Sequence, residues 1–165
     1  MTTEIIIAGQ GGQGVLTLGH ILAEAAFSAG LETTWLPSYG PEQRGGTCNA
    51  TVVISSSPIS SPIASRLDYL IAFNRPSVER FSPLLHFDGI LISDAEGAFS
   101  AFAHANSCDK LVGIIMLGAL LRTFKAITPL DVTDAIRRTL PPHRKNLIDD
   151  NIRALDLGFY SSLTT

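Results

Sequence analysis

Short apolar runs bounded by glycine, proline or small polar residues alternate along this chain with stretches of helical periodicity. The run Ile5-Ile6-Ile7-Ala8 stops at Gly9 and predicts a strand buried on both faces, as in the middle of a parallel sheet. Beyond it Val15, Leu16, Leu18, Ile21, Leu22, Ala25 and Ala26 recur at helical spacing, with Gly30 placed to end the helix. Further strands are expected over 31–36, over the β-branched stretch 47–55, over 67–73 and over 89–93. Between and after them lie a helix over 78–85 with Ser77 as N-cap, a weakly helical stretch over 99–108, and a nearly all-apolar helix over 110–124 with Ser107 or Asp109 as cap. A helix opening at Thr128-Pro129 and an amphipathic one over 145–159 complete the pattern. Strand-helix alternation of this kind predicts the α/β class. A helix apolar all round, in so small a protein, is expected to meet another chain.

Composition narrows the function classes. A length of 165 residues with 45% hydrophobic residues suits one domain, residues 1–165, with a sizeable core. A net charge of -3 offers no broad basic surface, so a nucleic-acid partner is disfavoured. Only 16% of residues are charged and mean hydropathy is +0.26, so part of the surface is expected to be an interface. The longest apolar run, 111–121, is bracketed by Lys110 and Arg122 and is too short to span a bilayer, and the start Met-Thr-Thr-Glu leads straight into a strand. A cytoplasmic protein without membrane association is expected. Cys48 and Cys108 are isolated and read as buried small residues, so any iron-sulfur centre would sit on another chain. His20, His86, His104 and His143 are scattered without metal-ligand spacing, and Asp94 and Glu96 at the end of the fifth strand read as caps, so no metal site and no catalytic residue is assigned.

Two loops carry the candidate chemistry. Gly9-Gln10-Gly11-Gly12-Gln13-Gly14 fits G-x-G-x-x-G between a strand and a helix, where helix amides point at an anion. A dinucleotide site also wants an acid at the end of the second strand; here the strand runs into Pro37-Ser38, which favours a packing turn or another anionic ligand over NAD. The second loop, Pro37-Ser38-Tyr39-Gly40-Pro41-Glu42-Gln43-Arg44-Gly45-Gly46-Thr47, combines rigidity with an aromatic, an acid and an arginine, and is read as a recognition loop, against a turn with a local ion pair. The basic run His143-Arg144-Lys145 reads as a solvated helix start rather than a phosphate site.

Read together, these two loops resemble the gamma subunit of 2-oxoacid:ferredoxin oxidoreductases. The likeness continues through Asn49 to Ser55, the turn at Ile59 to Pro62, Asp68-Tyr69-Leu70-Ile71-Ala72-Phe73-Asn74, Leu117-Gly118-Ala119-Leu120-Leu121 and Lys145-Asn146-Leu147 with Asn151. Within that family the Tyr-Gly-Pro-Glu-x-Arg-Gly-Gly string looks most like the 2-oxoglutarate and branched-chain 2-oxoacid enzymes. The segment 93–110 looks shorter than in relatives, and Lys110 stands near a helix start where they commonly carry asparagine. The resemblance implies a three-layer α/β/α Rossmann-like domain with a mostly parallel sheet. It also implies oxidative decarboxylation of a 2-oxoacid with coenzyme A to the acyl-CoA, with electrons passing to ferredoxin. Thiamine diphosphate, Mg and the iron-sulfur clusters are expected on partner alpha and beta subunits, with a ferredoxin-like delta subunit as a further candidate. Cofactor contact by this chain is then expected at Gly9, Gln10, Gly11, Gly12, Gln13, Gly14, Tyr39, Gly40, Glu42, Arg44 and Gly45, with coenzyme A as the candidate ligand. Two other readings stand beside it: a purely structural subunit with no small-molecule site, and a stand-alone nucleotide-binding protein, which the missing acid disfavours.

Overall fold

The computed structural model describes residues 2–40 and 46–163. Strands β1 (Thr2–Gln10), β2 (Glu32–Tyr39), β3 (Thr47–Ser55), β4 (Leu67–Ala72) and β5 (Leu85–Ser93) form one sheet in the order β2-β3-β1-β4-β5. Central β1 pairs antiparallel with β3, from Thr2 opposite Ser55 to Gln10 opposite Thr47, and parallel with β4, where Ile5 lies opposite Tyr69 and Ala8 opposite Ala72. Because β2 is antiparallel to β3 and β5 parallel to β4, every strand except β3 runs the same way. The expected parallel character therefore holds in direction, and the reversal of β3 turns β2 and β3 into a hairpin.

Alternation along β1 feeds both faces of the sheet. Ile5 and Ile7 join the main core with α1 (Val15–Ser28), α3 (Ala98–Ala105), α4 (Val112–Leu121), α5 (Pro129–Thr139) and α6 (Ile148–Tyr160). Ile6 and Ala8 pack on the opposite face with Leu67, Leu70 and Ala72, beneath Val78 and Phe81 of α2 (Arg75–Phe81). The result is three layers, with one of them far thinner than the other. Gly19 of α1 lets the helix settle on the hairpin, since a Cβ there would lie 2.7 Å from the Cβ of Ala50 and 3.0 Å from Nε1 of Trp35.

Local chemistry accounts for most element ends. The expected Thr128 cap is present as a full capping box, Asp131 N donating to Thr128 Oγ1 at 3.3 Å and Thr128 N to Asp131 Oδ2 at 2.7 Å. Gly30 follows the C-cap of α1 with φ 84°, as expected of a terminating glycine. Helix α2 departs from expectation: its cap is Asn74, whose Oδ1 accepts from Ser77 N at 2.9 Å, and Ser77 lies inside it. Pro83 ends that helix in a 3-10 turn, Ser82–Leu84, and β5 begins at Leu85 through half-buried His86 and exposed Phe87 and Asp88. β2 likewise runs on to Tyr39 through Pro37, which the free edge tolerates. The all-apolar helix is shorter than expected and has no side-chain cap, and the last helix starts at Ile148 after a 3-10 run, Pro142–Leu147.

Helix α4 also finds its cover within this chain, against the expectation that it meets another. Gly118 and Gly158 bring α4 and α6 into backbone contact: a Cβ on Gly118 would lie 2.2 Å from the carbonyl oxygen of Leu155, and one on Gly158 only 1.9 Å from that of Ile115. Close approach of this kind buries every residue of Ile114 to Leu121. Gly158→Ala is expected to cost about 3 kcal/mol by overpacking, read as a lower urea midpoint at unchanged m-value. An unaltered midpoint would contradict the crossing.

Candidate functional site

At the end of β1 the chain turns over its glycines for two different reasons. Gly12 (φ 97°) and Gly14 (φ 78°) occupy backbone conformations that a side chain disfavours, although a Cβ at either would meet nothing within 4 Å. Gly9 is closed in instead: a Cβ there would lie 2.6 Å from Oε1 of Gln13 and 3.0 Å from both Cβ of Phe73 and Cγ2 of Val15. The turn is held by Gln13, whose Oε1 accepts from Gln10 N at 2.8 Å and whose backbone N donates to Gln10 O at 3.2 Å. Helix α1 then starts at Gly14 with no side-chain cap and no acidic residue in its first turn. Among the described residues its positive end therefore has no side-chain cap and no first-turn acid to compensate it.

The second loop is the tip of the β2–β3 hairpin. Tyr39 lies opposite Cys48 in the ladder, and Gly40 N donates to Thr47 O at 3.2 Å just beyond it. Gly11 N donates to Gly46 O at 2.9 Å, which ties this loop to the glycine turn. The two motifs singled out in the sequence are thus joined by a backbone hydrogen bond. Between them opens a cleft of about 540 Å³, with Tyr39, Thr47 and Cys48 on one side and Gly12, Gly14 and Val15 on the other.

Of the expected site residues, Gln10, Gly11, Gly12, Gly14 and Tyr39 line this cleft, together with Gly46. Gly9 lies beneath the turn, Gln13 faces a second cleft on the helical side, and Gly40 belongs to the hairpin stem. Glu42, Arg44 and Gly45 lie outside the described residues. Sequence reasoning missed Thr17, Thr47 and Cys48, which also line the cleft. The pairing of β2 with β3 brings Thr47 and Cys48 beside Tyr39, and Thr17 comes from the first turn of α1.

Cys48 is 8% exposed, and burial pushes its thiol above the ordinary value of 9.0. It stays a neutral thiol at pH 7 and is no nucleophile there. Asp94 caps α3 as expected, its Oδ1 accepting from Ser100 N at 3.0 Å, and Glu96 pairs with Arg75. Among the described residues no group of three His, Cys, Asp or Glu is placed to hold a metal. A more open trough of about 640 Å³ between α3 and α6 contains none of the expected residues, so convergence of the motifs, not volume, selects the cleft. Alkylation of Cys48 by iodoacetamide at pH 8 is expected to run at least about tenfold slower in the folded chain than in urea, because the protonated and covered thiol is unreactive. Peptide mass spectrometry reads this, and equal rates would place Cys48 in open solvent.

The sequence matches, over residues 4–161, the protein family described as pyruvate ferredoxin/flavodoxin oxidoreductase. It is similar to ketoisovalerate oxidoreductase subunit VorA of Methanothermobacter marburgensis, 40% identical over 94% of this chain but 35% of that protein. The chain therefore spans about a third of the length of that relative. It is also similar to 2-oxoglutarate synthase subunit KorC of the same organism, 32% identical over 96% of this chain and 95% of the relative. Among solved structures, the gamma subunit of keto/oxoacid ferredoxin oxidoreductase from Geobacter sulfurreducens PCA superposes with a TM-score of 0.80 at 25% identity, covering 96% of this chain and 95% of that one.

Proposed function

The chain belongs to the pyruvate ferredoxin/flavodoxin oxidoreductase family, and from that premise we propose that it is the gamma-type subunit of a 2-oxoacid:ferredoxin oxidoreductase, with residues 1–165 forming one gamma-type domain. The complex oxidatively decarboxylates a 2-oxoacid with coenzyme A, releasing carbon dioxide and acyl-CoA and passing two electrons to ferredoxin. VorA and KorC as relatives support a substrate of the branched-chain or 2-oxoglutarate type. The same domain makes up about a third of VorA and nearly the whole of KorC. A unit found both inside a longer chain and as a chain of its own supports docking on alpha and beta subunits, with a delta subunit as a further candidate partner.

The single observation that carries a role for this chain near the reaction is the Gly11–Gly46 hydrogen bond, which joins the two motifs at one cleft. On one side of that cleft is the uncapped start of α1, where an anionic group is favoured, and on the other is Tyr39, which is 72% exposed. Part of coenzyme A fits such a cleft; when bound it supplies the thiol that receives the acyl group. Gly12, Gly14 and Tyr39 would border it, and Arg44, with Glu42 as its orienting partner, would meet a phosphate or carboxylate as a two-pronged donor. Iron-sulfur clusters are assigned to partner subunits, because the two cysteines are separately buried and offer no ligand set; thiamine diphosphate and Mg are assigned there on the family resemblance. This chain's share in the reaction is positioning and access, and cytoplasmic residence follows from that reading.

Co-expression with the candidate alpha and beta subunits, purification through a tag on this chain, and assay of 2-oxoacid- and coenzyme A-dependent ferredoxin reduction test the proposal. Arg44→Gln and Tyr39→Ala are expected to leave the complex assembled and raise the KM for coenzyme A about tenfold or more, the scale of one lost charge-assisted contact. Loss of assembly instead would support a purely structural subunit. Partners that are folded and fully active without this chain would overturn the proposal.

A further inference from the structure

Helix α6 carries two apolar stripes, and one of them is left over after the chain has packed. Ala154, Leu155 and Gly158 are buried, and Gly158 meets α4 backbone to backbone. Ile152, Leu157 and Tyr160 lie along another side and, with Phe102 of α3, give the open trough of about 640 Å³ its apolar lining. Ile152, Leu157 and Phe102 are only half-buried there, and Tyr160, its ring set edge-on to that of Phe159, is 81% exposed. Two carboxylates, Asp149 and Asp156, stand on the same stripe. Their spacing of seven residues puts them on one side of α6, about 10.5 Å apart along its axis. Both are exposed, and neither has an ion-pair partner among the described residues. Arg153, the cation of the trough, is already engaged, since its Nη2 donates to Asn106 O at 3.0 Å beyond the end of α3. Asp149 suits the positive start of α6, but Asp156 lies in the C-terminal half, where the helix dipole does not favour an acid.

Exposed apolar surface rimmed by charge marks a docking site, and a groove alongside a helix suits an amphipathic helix that lays its apolar face into it. We propose that this trough receives an amphipathic helix of a catalytic partner subunit. That helix seats apolar side chains against Phe102, Ile152, Leu157 and Tyr160, and offers Lys or Arg seven residues apart to Asp149 and Asp156. Tyr160 is the anchor, because a large ring with a polar tip loses little freedom when it is covered. A second copy of this chain fits less well, since a two-fold contact sets the patch against itself and brings carboxylate to carboxylate. The inference rests on the subunit reading and adds to it the surface used and the chemistry of its partner. The interface expected from the low charge content thus falls on α6 rather than on α4.

Surface plasmon resonance with the full chain immobilised and purified alpha and beta subunits in solution, at low and high salt, tests the surface. The wild-type chain is expected to bind them, more weakly at high salt because exposed charge pairs are screened. Tyr160→Ala and Asp156→Lys should each weaken binding about tenfold or more, the first by losing the anchor and the second by setting like charges together. Asp156→Asn should reduce the salt dependence. Glu79→Lys on α2, across the sheet, makes the same change of charge and should leave binding unaltered. Tyr160 and Asp156 are both exposed, so circular dichroism melts of these variants are expected to keep the wild-type midpoint. Wild-type binding shared by every variant would overturn the docking surface and leave the subunit reading standing, whereas no binding by the wild-type chain would overturn both. A dimer of this chain alone in analytical ultracentrifugation, dissociated by Tyr160→Ala, would put a second copy in the trough and overturn the proposal.

Discussion

Everything in this fold hangs on β1 being hydrogen-bonded in opposite senses on its two sides. Its antiparallel ladder with β3 and its parallel ladder with β4 leave no free edge, and both of its faces are buried, with Ile5 and Ile7 at 0% and Ile6 at 4% exposure. Such side chains contribute roughly 2 kcal/mol each on burial, as an upper estimate. A strand fixed on four sides delivers its C-terminal end to a fixed point. The glycine turn starts at that point, and the reversed neighbour β3 begins beside it, so the two motifs meet at the end of the β1–β3 ladder.

Legibility in the sequence followed the range of the interactions involved. β1 and β3 announced themselves by unbroken apolar or β-branched runs, and α5 by a cap and a proline in adjacent positions; all of these are local signals. The direction of β3 was not legible, because a strand's pattern is the same read against either sense of its neighbour. The early start of β5 was hidden because His86 and Asp88 interrupt the apolar run on which a strand is read. α4 looked like an interface helix because nothing local reveals that Gly118 and Gly158 lie against each other's helix backbone. At the site, the glycines and Tyr39 were readable as motifs. Cys48 was not, since it owes its place to an element packed from far along the chain.

The start of α1 is shared ground. Gly12, Gly14 and Thr17 border both clefts, so one set of helix amides stands between an aromatic-walled space on the hairpin side and one lined by Lys110 and Arg144 on the helical side. The electrostatic character of each space is set by its far wall. Phe73 ties the two together mechanically, because a side chain lodged between Gly9 and Gly113 couples the position of the glycine turn to that of α4.

The outer side of β2 is an open sheet edge. Trp35 and Leu36 are 38% and 41% exposed there, Tyr39 is 72% exposed, and Phe27 at 69% adds to the apolar surface. Unpaired edges of this kind template strand addition between copies, and the natural restraint here is a single break in the donor row at Pro37, with Glu32 as a charge at one end. For anyone producing this chain by itself, the colloidal behaviour of the preparation is therefore governed by eight residues at one margin of the sheet, however well the core is packed.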